Sequence, residues 1–151
     1  MTEDDYHVGG STALLDAIGL TTNHIQNIQI ASVPEDRPTK TLVVIMTDGF
    51  ENASRHYSHA VIKATISRLE EEKGWEFLFI GADIDNFAAS RSIGVKNAKS
   101  YRFSKDTDSF VGGFDAVGSV MYCIADHDEK LKDEDWDALR SVFDIKKTKS
   151  H

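Results

Sequence analysis

Apolar and polar positions along the chain change period several times, and each change marks an element. From Thr12 to about Ile30, Leu14, Ile18, Ile25 and Ile28 recur at spacings of four, seven and three, which predicts one apolar face of an amphipathic helix. The Gly9-Gly10 pair precedes it, and "ASVPEDRPTK" ends it, with Pro34 and Pro38 barring continuation. Leu42 to Met46 is apolar without alternation and rich in β-branched residues, so it reads as a strand covered on both faces, as in parallel sheets. Ser54 to Lys73 follows as a helix with Ile62, Ile66 and Leu69 inward and Gly74 as its stop. "WEFLFIGA", Trp75 to Ala82, is a second continuous apolar strand. Strand, helix and strand in this order form a βαβ unit with a right-handed crossover.

A short helix over about Asp85 to Ile93 closes at Gly94, and "SYRF", Ser100 to Phe103, reads as a third strand. Phe110, Phe114, Val117, Met121 and Ile124 then mark a long helix by alternating spacings of four and three. Gly112, Gly113 and Gly118 lie within it, each costing about 1 kcal/mol against alanine, which suggests close packing against a neighbour. The last helix runs from about Asp133 to Phe143, with an acidic "DED" start suited to the helix dipole and Trp136, Leu139 and Phe143 facing the core. The expected fold is α/β, a partial doubly wound, Rossmann-like parallel sheet of about three strands flanked by helices. One domain over residues 1–145 is followed by a basic flexible tail, 146–151.

The chain has 151 residues, 40% of them apolar, enough for one core without metals or disulfides as staples. Its net charge of −8 argues against nucleic-acid binding, since the only basic cluster is Lys146, Lys147 and Lys149 in the tail. The single cysteine, Cys123, falls on an apolar helical face and reads as a buried, chemically silent thiol. The acidic start "MTEDDYH" is unlike a signal peptide, and no apolar run approaches the roughly 18 residues a membrane span requires. A cytoplasmic protein with no membrane partner is the expectation.

Ligands of open parallel sheets bind at the carboxyl ends of the strands. Asp48 follows the first strand there, and Asp83 and Asp85 follow the second. Carboxylates at that edge suit a hard cation such as Mg²⁺, although Asp83 and Asp85 read more simply as caps of the short helix after them. Asp48 is followed by Gly49, Glu51, Asn52 and Ser54, more oxygen-bearing residues than a turn needs, and it reads either as a metal or phosphate group or as part of that turn. Thr12, at a helix start, reads by itself as an N-cap. His56 and His59 in "RHYSH" lack the partners of a zinc set and read as exposed. Ser11, Ser54 and Ser58 lie near polar loops, but no G-x-S-x-G elbow, G-x-x-x-x-G-K-[ST] or G-x-G-x-x-G occurs.

"GGSTALLDAIG", Gly9 to Gly19, with "VVIMTDGFENAS" some thirty residues later and then "GWEFLFIGADIDNFAASRSIG", resembles the second half of a von Willebrand factor type A domain, in particular the bacterial and phage intracellular group. The resemblance covers most of the chain. It implies a doubly wound sheet with a metal-ion-dependent adhesion site at its carboxyl edge. That site uses a D-x-S-x-S loop, a threonine in a glycine-rich loop and an aspartate in a T-D-G type loop. The threonine matches Thr12 and the aspartate Asp48, with Ser11, Glu51 and Asn52 as possible auxiliary groups of the metal loops. No D-x-S-x-S occurs in the chain, so the resemblance implies an incomplete domain whose Mg²⁺ site is weak or absent in this chain alone.

The function this implies is non-enzymatic: a protein-interaction module whose partner supplies a carboxylate to the cation. A Mg²⁺-dependent phosphoryl-transfer or phospho-receiver domain is one rival, as these also place aspartates at the ends of parallel strands. The other is a truncated structural remnant without metal binding. In the family's sheet order the strand before the matching one is missing here, so Leu42 to Met46 becomes an edge without proline or charge. A second copy of the chain, giving a homo-oligomer, is expected to pair with it, ahead of a complementing chain, with a rearranged N-terminal segment of this chain as the remaining candidate.

Overall fold

The computed structural model describes residues 13–47, 53–82, 86–96, 99–103, 107–126 and 130–144. The chain runs α1 (Leu14–Ala31), a 3-10 turn (Pro34–Asp36), β1 (Leu42–Thr47), α2 (His59–Lys73), β2 (Glu76–Ala82), α3 (Asn86–Ser92), β3 (Ser100–Phe103), α4 (Thr107–Asp126) and α5 (Asp133–Asp144). The strands form a parallel sheet in the order β1-β2-β3. The expected α/β fold with a three-stranded parallel sheet is therefore present.

β2 is the middle of the molecule, and its alternation divides the core into two layers. Phe77 and Phe79 point to one side, where α1, α2 and the turn after α3 bring Leu15, Ile18, Ile62, Ile66, Leu69 and Ile93. Leu78 and Ile80 point to the other, where Tyr101, Val120, Ile124 and Trp136 come from β3, α4 and α5. All four β2 side chains are fully buried. At about 25 cal/mol per Å² of apolar surface removed from water, such a two-sided strand anchors the fold. β1 is less completely covered than its sequence suggests. Val43, Ile45 and Thr47 are buried, whereas Leu42, Val44 and Met46 are only half-buried.

Three helices differ in detail from the periodicity. In α1 the buried positions are Leu15, Ile18, Gly19 and Thr22, while Ile28 is 52% exposed. The face is turned because the Thr22 hydroxyl donates to the carbonyls of Ile18 (2.9 Å) and Gly19 (3.1 Å), and so enters the core without an unmet polar group. α2 starts at His59, not Ser54. Its N-cap is Ser58, whose Oγ accepts from the Val61 N–H, and residues 54–57 are held as a loop. It ends as expected at Gly74, which sits at φ 65° while the Trp75 N–H donates to the Leu69 carbonyl at 3.1 Å.

α4 departs furthest. Gly112, Gly113, Ala116, Val120 and Ile124 are buried, but Phe114 and Met121 are 53% and 57% exposed. Among the described residues a methyl group at Gly113 or Gly118 would meet no atom within 4 Å, so close packing against them is not the reason for either glycine. Cys123 is half-buried against the second core layer rather than sealed inside it. The side chains of Phe110, Leu139 and Phe143, the cap assignments of Asp83 and Asp85, and the tail from 146 lie outside the described residues.

Candidate functional site

Thr12, Asp48, Ser11, Glu51 and Asn52, the five candidate ligands, lie outside the described residues. Their chain neighbours do not. Thr47 ends β1 at the carboxyl edge of the sheet, and Ala13 stands as N-cap of α1. What joins these two segments is Asp16, in the first turn of α1. Its Oδ2 accepts from the Arg55 N–H at 2.8 Å, and its Oδ1 from the N–H groups of His56 and Tyr57, both at 2.9 Å. The backbone N–H of Asp16 in turn donates to Ser54 Oγ at 3.0 Å. A carboxylate held by three amides is favoured in its charged form, so the Arg55 amide first, with those of His56 and Tyr57 and the His56 charge, outweighs the opposing effect of burial and keeps the Asp16 carboxyl below its ordinary value.

Tyr57 completes the junction. Its ring lies over Gly19, where an added Cβ would come within 2.5 Å of it, and its hydroxyl accepts from Asn23 Nδ2 at 2.8 Å. α1 is thus fastened along two turns to the loop that follows β1, by a carboxylate at one end and an aromatic ring at the other. Ser54 is legible in the sequence as a loop oxygen, whereas the roles of Asp16 and Tyr57 are not. Asp16 carried one signal, an acidic residue in a first turn, and that signal reads locally as a dipole partner rather than as a clamp on a segment 39 to 41 positions away.

A second polar cluster lies at the opposite edge. Lys99 Nζ, almost fully buried just before β3, contacts Glu76 Oε2 at 2.6 Å and Glu70 Oε1 at 2.9 Å, and stands 5.4 Å from the centre of the Trp136 ring. Burial alone would depress this ammonium. The hydrogen bonds and charges of Glu76 and Glu70 outweigh it, and the pKa of Lys99 is raised above 10.5. Glu76 opens β2, so the cluster belongs to the amino edge of the sheet, away from the carboxyl edge where such folds bind ligands. Two clefts of about 220 and 190 Å³ lie at that same amino edge, lined among others by Thr39, Thr41 and Lys73. Lys99 and its partners therefore read as a support for the β2 and β3 starts.

His56 and His59 are both exposed, as expected. Among the described residues no group of three or more His, Cys, Asp or Glu side chains is arranged to hold a metal ion. Also among them, no helix is long and apolar enough to cross a membrane. The chain matches no family model, and neither the curated proteins nor the solved structures contain a significant relative.

Proposed function

We propose that the chain is a non-enzymatic protein-interaction module of the von Willebrand factor A type, in which Thr12 and Asp48 hold a divalent cation at the carboxyl edge of the sheet and a carboxylate of the partner completes its coordination. The observation that supports this reading is the Asp16 clamp. It ties the first turn of α1, just after Thr12, to residues 54–57, a few positions after Asp48. Two segments that a shared site needs at one edge are thereby fastened to each other. The donor set suits the ion: a hydroxyl and a carboxylate, with Ser11, Glu51 and Asn52 nearby in sequence, are hard oxygen ligands of the kind Mg²⁺ prefers. Asp16 serves instead as the fastening, its two oxygens accepting from three backbone amides.

Two protein donors fall well short of the six that Mg²⁺ takes, so water fills the remainder and affinity in this chain alone is low. The test is a calorimetric titration with Mg²⁺ and Mn²⁺, with and without a simple carboxylate such as acetate, on the native chain and on Asp48→Ala. Weak binding that strengthens when the carboxylate is present, and that disappears in Asp48→Ala without a change in melting temperature, is the expected result. Equal binding by the native chain and Asp48→Ala would overturn it, and so would no binding under any condition.

A further inference from the structure

The buried cluster at the amino edge of the sheet is not closed by its own side chains. Lys99, Glu76 and Trp136 are 2%, 4% and 0% exposed. Glu76 Oε2 accepts from the Lys99 ammonium at 2.6 Å, but among the described residues its other oxygen, Oε1, meets no donor, and the indole Nε1 of Trp136 meets no acceptor. The ammonium carries three N–H groups, of which Glu70 Oε1 and Glu76 Oε2 take two. The third finds no acceptor atom among the described residues, with the centre of the Trp136 ring 5.4 Å from the nitrogen. Buried polar atoms without partners are rare, because each gives up the hydrogen bonds it makes in water.

We infer that the cluster holds one water molecule, which accepts from the Trp136 indole N–H and the third Lys99 N–H and donates to Glu76 Oε1. The count of donors and acceptors selects the occupant. Two donors and one acceptor belong to groups gathered around the same ammonium. A water accepts two hydrogen bonds and donates two, so it answers all three, and about three bonds is the usual complement of a buried water. Chloride or another simple anion has no proton to give the carboxylate oxygen. A metal cation has no lone pair for the two N–H groups and is repelled by the ammonium beside it. An ammonium ligand fails for the same two reasons.

Solvent stands close to this place. The cleft of about 190 Å³ is lined by Glu76 itself, by Leu131 from the layer of Trp136, and by Lys130, which donates to the Glu70 carbonyl at 3.1 Å. The water ties Trp136 of α5 to Glu76 of β2, where Lys99 already joins β2 to Glu70 of α2. Tyr101, whose hydroxyl donates to the Trp136 carbonyl at 2.8 Å, holds α5 to β3 beside it. The helix of one core layer and the helix of the other are thus fastened at the amino edge through a polar chain, one link of which the polypeptide does not supply.

The inference concerns the edge opposite to the proposed cation and does not depend on it. Nuclear magnetic resonance of the full chain reads the site directly, since the chain has two tryptophans whose indole signals are told apart by sequential assignment. The Trp136 indole proton should exchange slowly with solvent and yet show a cross-relaxation peak to a long-lived water. Magnetic relaxation dispersion of the water signal should count one long-lived water fewer in Trp136→Phe, which keeps an aromatic ring and loses the N–H. The same loss is expected in Glu76→Gln, which sets an amide NH₂ where the water needs an acceptor. A protected indole proton without a water peak overturns the inference, because a group of the chain then accepts from it. So does an indole proton that exchanges like an exposed one, because bulk solvent then fills the place. A folded variant of either kind that keeps the native number of long-lived waters overturns it as well. If both variants fail to fold, the measurement on the native chain decides by itself.

Discussion

A carboxylate in the first turn of a helix ordinarily faces the amide end of its own helix. Asp16 instead collects three amides from the loop after β1, and this decides what its removal does. Because its pKa is lowered in the folded chain, its contribution to stability is complete above the ordinary carboxylate value of 3.8 and is lost as pH falls through the folded value. Thermal melts should show Asp16→Ala less stable than the native chain at neutral pH, with the gap closing below the ordinary carboxylate range. A constant gap down to strong acid would mean that the charge is not what holds the loop. Gly19 tests the same junction from the other side. Alanine gains about 1 kcal/mol of helix propensity, but its Cβ would displace the Tyr57 ring and with it the Asn23 bond. Overpacking of that kind costs about 1–3 kcal/mol, so denaturant titration should find Gly19→Ala destabilised by about 1 kcal/mol on balance.

Lys99 is the other residue whose environment sets a sign. Its pKa is raised, so the stability it supplies is present throughout the range below the ordinary lysine value of 10.5 and lost only as pH rises through the higher folded value. Lys99→Met leaves Glu70 and Glu76 facing each other with no cation between them. Removing one partner of a buried pair costs about 3–5 kcal/mol, and the variant should melt far below the native chain at neutral pH and recover in part when carboxylates are protonated. A variant of native stability would mean the cluster is solvated.

At the scale of elements, α4 separates propensity from packing. Among the described residues its glycines at 113 and 118 face no neighbour within reach of a Cβ, so nothing in the described fold opposes alanine there. Gly118→Ala should stabilise the chain by about 0.5–1 kcal/mol in denaturant titration, the helix-propensity difference with no clash set against it. Loss of stability instead would mean that this exposed face of α4 is covered in solution. Gly74 carries the opposite expectation. Its φ of 65° is strained for any residue with a Cβ, so Gly74→Ala should destabilise by about 1 kcal/mol even though the space around it is open.

At the scale of the whole molecule, the sequence determined the elements and their order. Continuous apolar runs at 42–46 and 75–82, separated by an amphipathic helix with a glycine stop, leave little besides a parallel βαβ unit, and the structure has one. This is legible because strand and helix periods are local properties, set by which side chains recur within a few residues. The tertiary structure decided which face of each helix is inside. α1 turns by a position to bury Thr22, and α4 turns Phe114 and Met121 outward, because the buried face is fixed by neighbouring elements that no single period reports. The candidate ligands were readable as oxygen-bearing residues at a strand end, but the groups that fasten their surroundings were not. Asp16 with Arg55, and Lys99 with Glu76, are contacts across 39 and 23 positions. A carboxylate in a sequence carries no mark of the distant amide or ammonium it will meet. Only the packing of α1 against the loop after β1, and of β3 against β2, brings those charges to the groups that give them a purpose.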